Sequence, residues 1–221
     1  MTREAYHKSL KELQNELMAM GEMVAKAVRG SIEALKTRDL EKSKEIIRDD
    51  LLINKKRFEI EERCLHLIAT QQPMAIDLRT IAAILSIITD MERMADHAEG
   101  NAKINIMIGS EQLVKPLIDV PKMAEKGLSM LDRALKAFIN RDAKAARDIC
   151  AEDDEVDNLY NQIYRELLLL MIENPKKIEG ATYLIWLAHN LERIADRVTN
   201  IAERVVFMVT GKMEEVNVSK Y

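Results

Sequence analysis

The chain has 221 residues, 33 Lys and Arg against 37 Asp and Glu, and a formal net charge of -4 with both signs interspersed. It lacks the basic field that supplies most nucleic-acid affinity, which argues against a DNA- or RNA-binding role. Hydrophobic residues make up 48%, while aromatics (4%), Gly (7) and Pro (4) are scarce, a mixture that suits long helices and starves β-sheets.

The first predicted helix covers about 2–36, with Tyr6, Leu10, Leu13, Leu17, Met20, Val24 and Ala27 on one stripe. Thr37-Arg38-Asp39 then reads as a tight turn whose Asp caps a second helix at about 40–70. Pro73 opens a third, at about 74–108. The stretch from Gly109 to Pro121, with Pro116 inside it, is the expected linker between an N-terminal unit (1–110) and a C-terminal one (116–221). Three more helices follow at about 121–139, 142–173 and 176–210, the last carrying Leu184, Leu187, Leu191, Ile194, Val198, Ile201, Val205 and Met208 at alternating steps of three and four.

The halves repeat one another. Ile87 to Ala98 (IITDMERMADHA) aligns with Leu187 to Val198 (LAHNLERIADRV) at an offset of 100. Thr37-Arg38-Asp39 matches Asn140-Arg141-Asp142, Asp50-x-x-Ile53-Asn54 matches Asp153-x-x-Val156-Asp157, and Pro73 matches Pro175. The expected fold is therefore all-α: two tandem three-helix bundles, six long helices in all, related by internal duplication.

Within each repeat, carboxylates fall four apart on one helix: Glu92 with Asp96, and Glu192 with Asp196. Like charges at this spacing cost an isolated helix about 0.2–0.5 kcal/mol, so something should offset them. One candidate is Arg93, Arg193 or Arg197, giving a solvated charged face. The other is a cation, because the middle helices offer Asp50 with Asn54 and Asp153 with Asp157, and antiparallel packing would gather these oxygens. An all-oxygen cluster suits magnesium, manganese or calcium and also holds iron; without thiolates or clustered histidines, selectivity for zinc is not implied. His97 and His189 lie within a turn of the acidic pairs, as ligands, supporting groups or plain surface histidines. His7 and His66 have no such setting apart from Glu4-x-x-His7.

GxxxxGK[ST], GxGxxG and GxSxG are all absent, which argues against autonomous ATP hydrolysis or hydride transfer. A di-iron oxidase needs more Glu-x-x-His motifs than the single one at Glu4. Cys64 and Cys150 stand alone and read as buried thiols in a reducing compartment, the cytoplasm. The N-terminus has no signal-peptide pattern, and the apolar stretch around Ile81 to Ile88 is interrupted by Ser86 and Asp90, too short to span a bilayer. A membrane role would come through a partner. The residues alone leave open a metal-dependent enzyme or store and a helical adaptor with decorative acidic pairs.

Leu191 to Glu203 (LERIADRVTNIAE), Met91 to Ala98 (MERMADHA) and Gln71 to Arg79 (QQPMAIDLR) closely resemble the PhoU family, in order and across essentially the whole chain. The resemblance implies paired three-helix bundles with surface metal clusters: Asp50, Glu92 and Asp96 in the first repeat, Asp153, Asp157, Glu192 and Asp196 in the second. The ions implied are iron, manganese, magnesium or zinc. Asn54 in place of a carboxylate implies a first site that is weaker or holds fewer ions, since an amide ligates only through a neutral carbonyl. The same resemblance implies a negative regulator of phosphate uptake and phosphate-starvation signalling. Its partners would be the ATPase subunit of the phosphate ABC transporter, a sensor histidine kinase and a second copy of itself.

Overall fold

The structure, a computed structural model, describes residues 3–214. Its elements are α1 (Arg3–Thr37), α2 (Leu40–Gln71), α3 (Ile76–Ile108), α4 (Asp119–Asn140), α5 (Ala143–Cys150), α6 (Asp153–Glu173) and α7 (Ile178–Thr210), with a short 3₁₀ turn at Pro175–Lys177 before α7. Helices α1, α2 and α3 pack together as one bundle and α4 to α7 as the other. The predicted stripes face inward: Leu13, Leu17, Met20 and Val24 of α1 are buried, as are all eight named residues of α7. Val28 continues the α1 stripe, whereas Ala27 is only partly buried.

The duplication extends to the turns. Arg38 and Arg141 both take left-handed backbone conformations, φ 59° and 55°. Asp39 then accepts a hydrogen bond from the Lys42 amide at 2.8 Å, and Asp142 accepts from the Lys144 and Ala145 amides at 3.0 and 2.9 Å. Each side chain satisfies amides that a helix start leaves without partners.

One expectation is corrected. The fifth predicted helix, 142–173, is interrupted at Ala151 and Glu152, so that α5 and α6 are separate segments. Four acidic residues in a row, Glu152 to Glu155, sit poorly inside a helix but well at its first turn, beside the positive end of the helix dipole. Arg133 of α4 holds the Glu152 carboxylate with two bonds of 2.6 Å. The helix expected from Pro175 likewise begins as a 3₁₀ turn, with α7 proper starting at Ile178.

The bundles are joined chiefly by α3 against α7, and by α1 against α4. The α3–α7 pair is antiparallel: Arg79 Nε donates to the Met208 carbonyl at 3.2 Å near one end, and His97 meets Asn190 at 3.3 Å further along. Where α1 crosses α4, a Cβ on Gly21 would collide with Leu135, so the absence of a side chain lets the helices approach closely. Both terminal helices of the repeats are thereby fixed, and with them the acidic pairs.

Candidate metal centre

Glu92 and Asp96 lie on α3, which packs against α2; Glu192 and Asp196 lie on α7, which packs against α6. Both candidate sites therefore lie between the last two long helices of a bundle, where the predicted carboxylates come within electrostatic reach of one another without forming a closed cluster. Burial, followed by the charges of Asp96, Glu99 and Glu92, pushes the Asp50 carboxyl up to about 6. Burial, followed by the charge of Asp196, pushes Glu192 up to about 7; Arg193 opposes that rise, while Asp157 and Asp153 add to it. Asp157 and Asp196 are raised as well, both chiefly by burial. Such a concentration of carboxylates with raised pKa values marks negative charge that the protein only partly compensates.

Two of the three candidate arginines pair with the acidic residues. Arg93 binds Asp96 at 3.1 Å and Arg193 binds Asp196 at 2.6 Å, the same i,i+3 pair in both repeats, and Arg93 also reaches Glu92 at 3.5 Å. Arg197 turns away to Asp90, at 3.4 Å. Asp50 Oδ2 accepts from Asn54 Nδ2 at 2.8 Å, but Asp50 Oδ1 and Glu192 Oε2 are buried without a hydrogen bond. Buried acceptors lacking a partner are costly, and a cation would satisfy them. An all-oxygen donor set of this kind fits hard divalent ions. Among the described residues, no three Asp, Glu, His or Cys side chains are already drawn together tightly enough to hold an ion. Beside Asp50, a cleft of about 120 Å³ is lined by Met23, Ala27, Ile53 and Ala95, with Lys26 and Lys42 also contributing.

The histidines divide. His189 Nδ1 stands 3.4 Å from Glu192 Oε2, next to the second site. His97 Nδ1 instead lies 3.3 Å from Asn190 Oδ1 across the junction between repeats, and its burial lowers its pKa. His7 and His66 are exposed and lie apart from both sites. Cys64 and Cys150 are buried free thiols, pushed up to about 12 by burial and so kept protonated. Sequence reasoning missed Glu99, which sits one helical turn beyond Asp96 on the same face and bears on Asp50. That spacing was the signal for it. It also missed Asp154, whose charge acts on Asp157.

A sequence profile of the PhoU domain matches this chain twice, at residues 17–104 and 120–205. The chain belongs to the PhoU family. It is 37% identical over 218 residues to the phosphate-specific transport system accessory protein PhoU homolog of Clostridium acetobutylicum, covering 98% of this chain and 100% of that protein. It is 35% identical over 206 residues to the homolog of Aquifex aeolicus, covering 93% of both chains. The crystal structure of PhoU from Pseudomonas aeruginosa superposes with a TM-score of 0.88 at 32% identity, covering 94% of this chain and 100% of that one. The phosphate transport system regulatory protein PhoU from Streptococcus pneumoniae gives 0.89 at 31% identity, covering 95% and 99%. Both PhoU domain matches contain an acidic pair, Glu92 and Asp96 in the first and Glu192 and Asp196 in the second. Like its relatives, this PhoU-family chain is placed in the regulation of phosphate transport.

Proposed function

We propose that this protein is a cytoplasmic negative regulator of phosphate uptake and phosphate-starvation signalling that binds the ATPase subunit of the phosphate ABC transporter and a sensor histidine kinase. It acts as a homodimer and without a catalytic activity of its own. The observation that carries this reading is the near full-length match to transport accessory proteins, which spans both repeats. No described helix is long and apolar enough to cross a membrane, so contact with a transporter is assigned to a soluble partner domain. A regulator of this kind needs no reaction: binding one transporter conformation better than another shifts the population toward it.

The carboxylates belong to the same proposal. Asp50, Glu92 and Asp96 would hold one set of ions, and Asp153, Asp157, Glu192 and Asp196 the other, with Glu99 close to the first. The ion is iron, manganese, magnesium or zinc. When bound, it supplies positive charge to two otherwise acidic faces. Asp50 and Glu192 give up protons whose pKa values burial has raised; Arg93 holds Glu92 and Asp96, and Arg193 holds Asp196. Changing Glu92, Asp96, Glu192 and Asp196 together to Ala is expected to weaken binding to the ATPase subunit by about tenfold or more in the presence of manganese. Unchanged affinity in a binding titration would remove the metal sites from the regulatory mechanism.

A further inference from the structure

The two acidic sites occupy matching positions of the repeats, at an offset of 100 along α3 and α7 and of 103 along α2 and α6, but the groups around them have diverged. His189 of the second site stands where the first has Thr89, and Tyr160 and Asp157 stand where the first has Arg57 and Asn54. Thr89 donates its hydroxyl to the Leu85 carbonyl at 3.0 Å, and Arg57 pairs with Glu61 at 3.3 Å. The first site in turn has Glu99 where the second has Thr199.

The His189 imidazole is placed as a ligand would be. Its Nδ1 is 3.4 Å from Glu192 Oε2. A charge-assisted hydrogen bond would be about 2.7–2.9 Å long, and Oε2 of Glu192, a residue only 7% exposed, is buried without a hydrogen bond. Two donors on one ion, each about 2.1 Å from it, stand about 3.0 Å apart in octahedral and about 3.4 Å apart in tetrahedral coordination. Nδ1 and Oε2 already have that separation. The imidazole is within electrostatic reach of Asp196, and Glu192 is within reach of Asp196 and Asp157, so further oxygen donors lie around the pair. The Tyr160 ring, packed against the core, stands 6.0 Å from the imidazole between ring centres and limits its swing.

Donor chemistry separates the two sites. Carboxylates and carbonyls suit magnesium, manganese and calcium, whereas an imidazole moves the preference toward zinc, iron and nickel. The charges that bear on Asp50 come from Asp96, Glu99 and Glu92, an all-oxygen set. His97, next to Asp96 in sequence, meets Asn190 across the junction instead.

We infer that His189 is a metal ligand of the second site and makes it a zinc-class site, while the first site, with Thr89 in that place, is a magnesium-class site. The inference rests on the metal-bearing reading above and divides it into two chemistries. Calorimetric titration of the chelator-stripped full chain with zinc, and separately with magnesium, tests it. Glu192→Ala with Asp196→Ala should remove the tight zinc event, and Glu92→Ala with Asp96→Ala should leave it. His189→Ala, a substitution at an exposed position that should leave helicity by circular dichroism unchanged, should weaken zinc binding about tenfold or more and leave magnesium binding as it was.

Wild type that binds neither ion would overturn the metal sites and this inference together. Magnesium binding without zinc binding, or zinc binding indifferent to His189→Ala, would keep the metal sites and overturn the role of His189. Loss of zinc and magnesium in equal measure would make His189 a general support of the site and overturn the division. Tight zinc binding that survives Glu192→Ala with Asp196→Ala would put the ion elsewhere and overturn the inference as well.

Discussion

Asp90 of α3 and Asn190 of α7 hold equivalent places in the two repeats, and each reaches across the junction into the other repeat's helix. Asp90 Oδ1 accepts from Arg197 Nη1 at 3.4 Å and from Asn200 Nδ2 at 3.2 Å. Asn190 meets His97 Nδ1 at 3.3 Å and donates to Asn101 Oδ1 at 3.0 Å. Positions 97 and 197 are themselves equivalent at the offset of 100. The junction is thus a pseudo-two-fold polar clasp between antiparallel helices.

Removing one half of that clasp should loosen the joint. Asp90→Ala leaves the partly buried Arg197 and Asn200 without their acceptor, a loss expected to cost about 1–3 kcal/mol. Urea denaturation checks it: the midpoint should fall, while an exposed acidic substitution such as Asp132→Ala should change it little.

The two turn aspartates should be of equal worth. Asp39→Ala and Asp142→Ala each remove a side-chain acceptor for the first amides of a helix, and each is expected to destabilise by about 1 kcal/mol. Thermal unfolding of the two variants should show similar drops in Tm. Replacement by Asn, which also caps, should recover most of the loss.

Stability of the metal-free protein should depend on pH through the buried carboxyls. Folding raises Glu192 from 4.5 to about 7 and Asp50 from 3.8 to about 6, so the folded state binds their protons more tightly than the unfolded one. Their favourable contribution is complete below the unfolded values and is lost as pH rises through about 4.5 to 7 for Glu192 and 3.8 to 6 for Asp50. Glu192→Gln, which stays neutral, should flatten that part of the profile and leave the metal-free protein more stable than wild type above about pH 7. Denaturation midpoints taken across this range with a chelator present will show it.

Much of this architecture is legible in the residues. The heptad-like stripes of α1 and α7, the capping aspartates and the repeat at 87–98 and 187–198 place the helices because helix burial follows a simple period. The acidic pairs are legible for the same reason, since four residues separate Glu92 from Asp96 on one face. The break at Ala151 and Glu152 is legible only in part: the acidic run Glu152 to Glu155 suits a helix start, but the contact that holds Glu152 there comes from Arg133 on another helix. The role of Arg197 is hidden. Its neighbour along the chain is Asp196, but its bonding partner is Asp90 of the other repeat, a choice made by tertiary packing.

Metal stoichiometry tests the central claim most directly. Protein purified without chelators should carry divalent ions by elemental analysis, and the variant with Glu92, Asp96, Glu192 and Asp196 changed to Ala should lose them while keeping its helicity. Wild type that carries no metal and takes up no added manganese, magnesium, iron or zinc would contradict the account, and would reduce the two clusters to acidic faces restrained by Arg93 and Arg193.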